Sequence, residues 1–254
     1  MSKRVGFLGC GKIGKTMLHH LLDQGEHTVS FVQDIFFQPE EGMSFPVVQE
    51  QDPALLAQTD LVVECATADV LKANFDGILA RCDLMMFSVT AFSDAEFEAH
   101  AKEVIAATGH KVYLPHGAIL GVDGIFDGRK LINSVSIVTT KNPPSLSRTD
   151  TVRTVVYEGP TREACRLYPR NVNVHATIAL ASLGFDKTRS MIISDPSVNT
   201  NAHKIVIDGE GIHFELDISS FTTGGVTGKY TPFSACGSLD RVLQSNIDFP
   251  FRFM

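Results

Sequence analysis

Apolar positions fall into short, near-continuous runs through the first 115 residues: "RVGFLG", "HTVSFVQD", "TDLVVECA", "DLMMFSVT" and "HKVYLP". Between them, apolar residues recur three and four apart, predicting helices over 12–23, 52–58, about 69–81 and about 94–108. Strands without polar alternation are buried on both faces, as in a parallel sheet covered by helices. The expected fold of this part is α/β, a doubly wound parallel sheet.

After "PHGAILGVDGI" the order changes. "NSVSIVTTK" and "TVVYEG" read as strands joined by the polar loop "NPPSLSRTD". "TREACRLYP" and "NVNVHATIALASLG" read as helices, the second ended by Gly184. "TRSMIISDP", "NAHKIVIDGE" and "GIHFELDIS" then follow as strands, with Asp208-Gly209 as a turn. This is α+β order. The segment "SACGSLDRVLQSNI" has helical periodicity and is expected to return to the first domain. The expected division is 1–116 with 234–254, and 117–233.

The first apolar run leads into Gly9-x-Gly11-x-x-Gly14, which opens a helix, and Asp34 follows 20 residues after Gly14 at the end of the next strand. In that setting Gly9 serves a tight turn, Gly11 lets backbone approach a pyrophosphate, and Gly14 allows close helix–strand packing. Backbone N–H groups of Lys12 and Ile13 at the helix N-terminus then face the phosphates. Asp34 is placed to accept hydrogen bonds from ribose hydroxyls, favouring NAD over NADP, with NADP possible. The expectation is a Rossmann-type dinucleotide-binding domain. Cys10 reads as a small packed side chain. Cys65, Ala66 and Thr90 lie in turns at the carboxyl ends of later strands, where they line the cofactor or simply connect elements.

Composition narrows the setting. Hydrophobic residues make up 44% of the 254 and charged residues 20%, ordinary for a globular protein. Residues 1–116 carry a net charge of −8 and residues 117–254 a net of +1, so no basic stripe for nucleic acid is expected. The more basic second half suits an anionic small substrate. No apolar run reaches the roughly 18 to 20 residues of a membrane span. The opening "MSKRVGFLGC" runs directly into a strand pattern, and the five cysteines are scattered without metal-type spacing. A cytoplasmic, disulfide-free protein with no metal site is expected.

Hydride-transfer chemistry needs an acid/base and groups for carboxylates. His203, at a loop-to-strand junction beside Asn201, is the leading acid/base candidate, against the alternative of a structural histidine. His116 sits at the domain crossover. Lys141 ends a strand and is either a carboxylate partner or a solvated lysine. Asn171 and Asn173 lie at a helix start, as caps or as contacts to substrate or nicotinamide. His19, His20, His27, His100 and His110 read as surface residues.

The blocks "LPHGAILGVDGI", "VTTKNPPSL", "YEGPTREACRLYPRNVNVHATIALASLG" and "SDPSVNTNAHKI", in this order, resemble those of the L-aspartate dehydrogenase family. The resemblance implies conversion of L-aspartate to iminoaspartate with NAD or NADP. It implies a Rossmann domain, a second α+β domain with an open-faced sheet, and a homodimer. By the same resemblance His203 is the active-site histidine, and Asn173 and Ala118 contact the cofactor. Three features differ. His116 stands where family members carry Ser, "VTGKYTPFSACGS" replaces their Asn-Pro-Lys-Thr-Ser block, and the loop after Lys141 is short. A reductase for another imine or keto acid, and a non-catalytic NAD(H)-binding protein, are the alternatives.

Overall fold

The computed structural model describes residues 2–221 and 230–245, which form two compact units, 2–115 with 232–245 and 116–221 with 230–231. Residues 226–229 of the block that replaces Asn-Pro-Lys-Thr-Ser, and 246–254 of the C-terminal segment, lie outside the described residues.

The first unit is built on a six-stranded parallel sheet in the order β3-β2-β1-β4-β5-β6. Its strands are β1 (Arg4–Leu8), β2 (Thr28–Gln33), β3 (Val47–Val48), β4 (Leu61–Glu64), β5 (Asp83–Met86) and β6 (Val112–Tyr113). The helices between them are α1 (Lys12–Gln24), α2 (Pro53–Leu56), α3 (Ala68–Leu79) and α4 (Ala95–Thr108). All four residues of β4 are buried, because both faces of this central strand are covered. Met17, Leu18 and Leu21, on one stripe of α1, pack with Val5, Phe7, Val32 and Val63 of the sheet. Ala235, Cys236, Leu239 and Leu243 of the last helix join this same core.

The second unit holds α5 (Val122–Gly128), β7 (Ile132–Lys141), β8 (Thr154–Pro160), α6 (Thr161–Leu167), α7 (Asn173–Ala181), β9 (Arg189–Ser194), β10 (Thr200–Gly209) and β11 (Ile212–Phe221). The final helix is α8 (Tyr230–Leu243). The sheet order is β11-β10-β7-β9-β8, antiparallel except for the β7–β9 pair. Alternate residues of β7 and β10 are buried, and their neighbours are half-buried or exposed, so the sheet is open on one face. On the buried face Ile137, Ile205 and Ile207 pack with Ile119, Ile125 and Ile178.

Several elements differ from their expected form. The hairpin turn is Glu210-Gly211: Gly209 stays paired with Ile212, and Gly211 takes the positive φ of 73°. Helix α7 stops at Ala181, and Gly184 lies beyond it at φ 83°, its N–H donating to Ala179 O at 2.8 Å. His27 is buried rather than on the surface, its Nδ1 accepting from Lys3 N at 3.0 Å.

Candidate active site

Four loops converge at the carboxyl ends of the adjacent strands β2, β1, β4 and β5. Gly9 turns the chain out of β1 at φ 83°, and a Cβ there would meet Ala66 Cα at 2.7 Å. A Cβ on Gly14 would meet Gly9 O at 2.5 Å, so the helix seats against the loop only with glycine. A Cβ on Gly11 would meet nothing within 4 Å, which leaves open space over the start of α1. Helix α1 has no side-chain cap and no acidic residue in its first turn, where Lys12 and Ile13 lie. This end is therefore suited to an anion.

Asp34 follows β2 directly. Its Oδ2 accepts from Cys10 N at 2.7 Å, and its Oδ1 accepts from Phe36 N and Phe37 N at 2.7 and 2.9 Å. The carboxylate thus ties the glycine loop to the β2 exit, and an ionised carboxylate keeps further lone pairs for a ligand. Cys65 and Ala66 follow β4, and buried Thr90 lies in a short 3-10 turn after β5. Glu64 joins these two loops. Fully buried, it accepts from Ala66 N (2.7 Å), Phe87 N (3.1 Å), Ser88 N (3.0 Å) and Ser88 Oγ (2.7 Å). Burial raises its pKa, and the four bonds, three of them from backbone N–H groups that can only donate, oppose that rise. Burial pushes the Cys10 thiol up to about 12, consistent with packing rather than redox chemistry.

In the second unit the buried sheet face changes character along its strands. Ile137, Thr139 and Lys141 succeed one another on β7, and Ile207, Ile205, His203 and Asn201 on β10. His203 pairs in register with Thr139, and Lys141 with Ser194. The apolar half makes core, and the polar half gathers the chemistry. His203 Nδ1 lies 2.8 Å from Thr139 Oγ1, which also lies 2.6 Å from His175 Nε2. His175 Nδ1 lies 2.8 Å from Ser190 Oγ. Lys141, only 3% exposed, donates to Asn171 Oδ1 at 3.1 Å, and no carboxylate pairs with it among the described residues.

Lys141 is thus no solvated lysine; burial lowers it to about 8. Helix α7 has no side-chain cap, so neither Asn171 nor Asn173 serves as one. His203 is 4% exposed, and burial, then the Lys141 charge, lowers it to about 3. An imidazole titrating near neutrality is the ordinary expectation for a catalytic histidine. In this chain the ring is neutral at neutral pH. Ala118 and half-buried His116 precede α5, His116 O accepting from Ile119 N at 3.0 Å. Asn173 is the first residue of α7. The structure brings His203, Lys141 and Asn171 into one polar region with Thr139 and His175. The glycine loop, Asp34, Ala66 and Thr90 form the other region. Among the described residues no cluster of His, Cys, Asp or Glu could hold a metal ion.

His175, Thr139 and Ser190 are polar residues that motif reading gives no role, and it places Glu64 only within the "VVECAT" turn, as a cofactor-lining or connecting residue. One signal for His175 was available: a histidine within the apolar run "NVHATIALA" sits on a face that the helix must bury.

Family models match the two halves of the chain. Residues 9–115 match the family "Homoserine dehydrogenase, NAD binding domain", and residues 126–242 match "Aspartate dehydrogenase, C-terminal". L-Aspartate dehydrogenase of Methanococcoides burtonii is 34% identical over 82% of this chain and 84% of its own. L-Aspartate dehydrogenase 1 of Bordetella pertussis is 34% identical over 85% and 86%. The crystal structure of aspartate dehydrogenase from Thermotoga maritima superposes over 100% of both chains with a TM-score of 0.81 at 28% identity. The chain belongs to the L-aspartate dehydrogenase family.

Proposed function

We propose that the chain is an NAD-dependent L-aspartate dehydrogenase, interconverting L-aspartate with iminoaspartate, which water hydrolyses to oxaloacetate and ammonia. One observation carries the reading. A neutral buried histidine and a buried lysine without an anionic partner share the polar end of one sheet, in a chain of this family. A lone buried cation is costly unless an anion joins it, and a dicarboxylate substrate supplies that anion.

The first unit fits a dinucleotide. The open space at Gly11, the uncapped start of α1 and Asp34 suit a pyrophosphate and a ribose diol. No basic side chain stands beside Asp34 in "QDIFFQPEE", which favours NAD over NADP. Gly9, Gly11, Lys12, Ile13, Gly14, Asp34, Cys65, Ala66 and Thr90 would hold the cofactor in this unit, and the family resemblance gives Ala118 and Asn173 as further cofactor contacts. The cofactor these residues would hold would supply the hydride acceptor for the substrate Cα, or the donor in reverse.

The chain's own residues handle charge and protons. Lys141, steadied by Asn171, binds a substrate carboxylate. That carboxylate offsets the Lys141 charge, the smaller of the two causes that lower His203, so binding raises the imidazole from its unliganded value. His203 then takes a proton from the substrate ammonium, leaving the neutral amine from which hydride can depart, and gives the proton back in reverse. His116, near Ala118, is a further candidate for the substrate pocket. The five free cysteines support a cytoplasmic setting, and the open face of the second sheet supports a homodimer.

The test is NADH oxidation with oxaloacetate and ammonia, alongside a panel of other keto acids, in wild type and His203→Ala. Oxaloacetate is expected to be the best substrate, and the variant to lose about 10²–10⁴-fold in kcat. A loss under about tenfold, a better rate with another keto acid, or NADH binding without turnover overturns the proposal.

A further inference from the structure

The buried hydrogen bonds behind His203 form one unbranched chain of hydroxyls and imidazoles, and its far end has only one possible direction. Thr161 Oγ1 lies 3.0 Å from Thr188 O, a carbonyl that can only accept, so the Thr161 hydroxyl donates there. Its single proton is then used. Ser190 Oγ, 2.7 Å away, must donate to Thr161 Oγ1. Ser190 Oγ must in turn accept from His175, 2.8 Å away, so His175 carries its proton on Nδ1. His175 Nε2 therefore accepts from the Thr139 hydroxyl at 2.6 Å, and Thr139 Oγ1 accepts from His203 Nδ1 at 2.8 Å. Each proton assignment forces the next.

We propose that Thr161, Ser190, His175 and Thr139 are positioning residues that hold His203 as its Nδ1–H tautomer, leaving the Nε2 lone pair as the reactive base. Like the proton role of His203 itself, this rests on the reading under Proposed function. Thr161, Thr139, His175 and Ser190 are each buried to 1% exposure or less, so water does not compete for these bonds. The bond to Thr139 occupies His203 Nδ1 and leaves Nε2 as the ring's other nitrogen.

The direction matters because it survives the proton transfer. When Nε2 takes a proton the ring becomes imidazolium, and Nδ1–H goes on donating to Thr139 without any rearrangement. In a chain running the other way, the Thr139 hydroxyl would donate to Nδ1. The neutral ring would then already carry its proton on Nε2, and charging it would set two donors against each other. His175 must stay neutral for the same reason. Burial, with His203 and Lys141 nearby, holds it far below its ordinary range.

The test is the tautomer, read by long-range ¹H–¹⁵N spectra of the full chain labelled with ¹⁵N-histidine. His203→Gln and His175→Gln identify the two signals. Both rings are expected as Nδ1–H in wild type, and finding His203 as Nε2–H overturns the proposal. Ser190→Ala removes the acceptor from His175 Nδ1–H and frees the chain to reverse. The Nε2–H form of His203 is then expected to appear, and an unchanged tautomer overturns the proposal. Thr139→Val, nearly isosteric, is expected to lower kcat about tenfold to a hundredfold with little change in KM, and Thr139→Ser to restore it. A serine variant as impaired as the valine one overturns it. The tautomer is measured without turnover, so absence of aspartate dehydrogenase activity would sink the functional reading and leave this inference separately decided.

Discussion

Lys141 Nζ meets Asn171 Oδ1 at 3.1 Å, and that neutral oxygen is its hydrogen-bond partner in a buried setting. An ammonium so placed is stabilised by one dipole where the interior would require an anion. Lys141→Met should therefore leave the melting temperature of the unliganded protein unchanged or higher. KM for oxaloacetate should rise about tenfold or more, since a charge-assisted bond is worth about 1.5–3 kcal/mol. Because burial lowers Lys141 to about 8, KM in wild type should also climb as pH rises through that value and the charge is lost. The melting curve and the pH dependence of KM check both. A destabilised variant with unchanged KM would make the lysine structural.

The glycine loop yields a contrast between two alanines. A Cβ on Gly14 would meet Gly9 O at 2.5 Å, whereas one on Gly11 meets nothing within 4 Å. Gly14→Ala should lower thermal stability and NADH affinity together. Gly11→Ala should stay within about 1 kcal/mol of wild type in stability, yet bind NADH at least about tenfold more weakly. Calorimetric titration beside denaturant unfolding separates the two. Unimpaired binding by Gly11→Ala would show that no phosphate passes over that position.

Much of the first unit was legible because a parallel strand covered on both faces must be apolar along its whole length, as Leu61–Glu64 nearly is. The two-residue β3 leaves no such run. Helix α5 contains Gly124 and Gly128, poor helix formers, and is held by packing of Ile125 into the core. The placement of β7 between β9 and β10 depends on long-range pairing that no local pattern carries. At the site, His203 and Lys141 were readable as candidates. Thr139 and Ser190 were not, because a hydroxyl on a strand acquires its role only from the residue placed opposite by the register, His203 facing Thr139. The low pKa of His203 was likewise invisible, since it comes from burial and from Lys141 on a strand far away in sequence.

Glu64 binds the β4 exit to the β5 exit through Ala66 N, Phe87 N and Ser88 N. Glu64→Gln turns one acceptor oxygen into an amide donor facing donors. The expected loss is about 1–3 kcal/mol, or several degrees in melting temperature. Because Ala66 and Thr90 ride on the two loops, NADH affinity should fall with it. Thermal melts with and without NADH measure this. An unshifted melting point would mean that the carboxyl group is protonated in the folded chain.

The folded protein keeps His175 and His203 neutral below the pH at which the unfolded chain protonates them. A group whose folded pKa is depressed contributes stability that is fully present above its unfolded pKa, about 6.5 for histidine, and lost as pH falls below it. Stability should therefore decline between about pH 7 and about pH 5 by up to about 2 kcal/mol for each of the two rings. The lowered carboxylates, such as Asp60, Asp94 and Asp150, lose their contribution at lower pH, below the ordinary carboxylate range. Lys141 is charged in both states over this window and adds no slope. Urea unfolding of wild type and His203→Gln at the two pH values reads the contribution of this ring together with its coupling to His175. The variant should lose less stability on acidification. Equal losses would place a proton on the folded imidazole, and a ring already charged at rest has no lone pair with which to take a proton from the substrate amine.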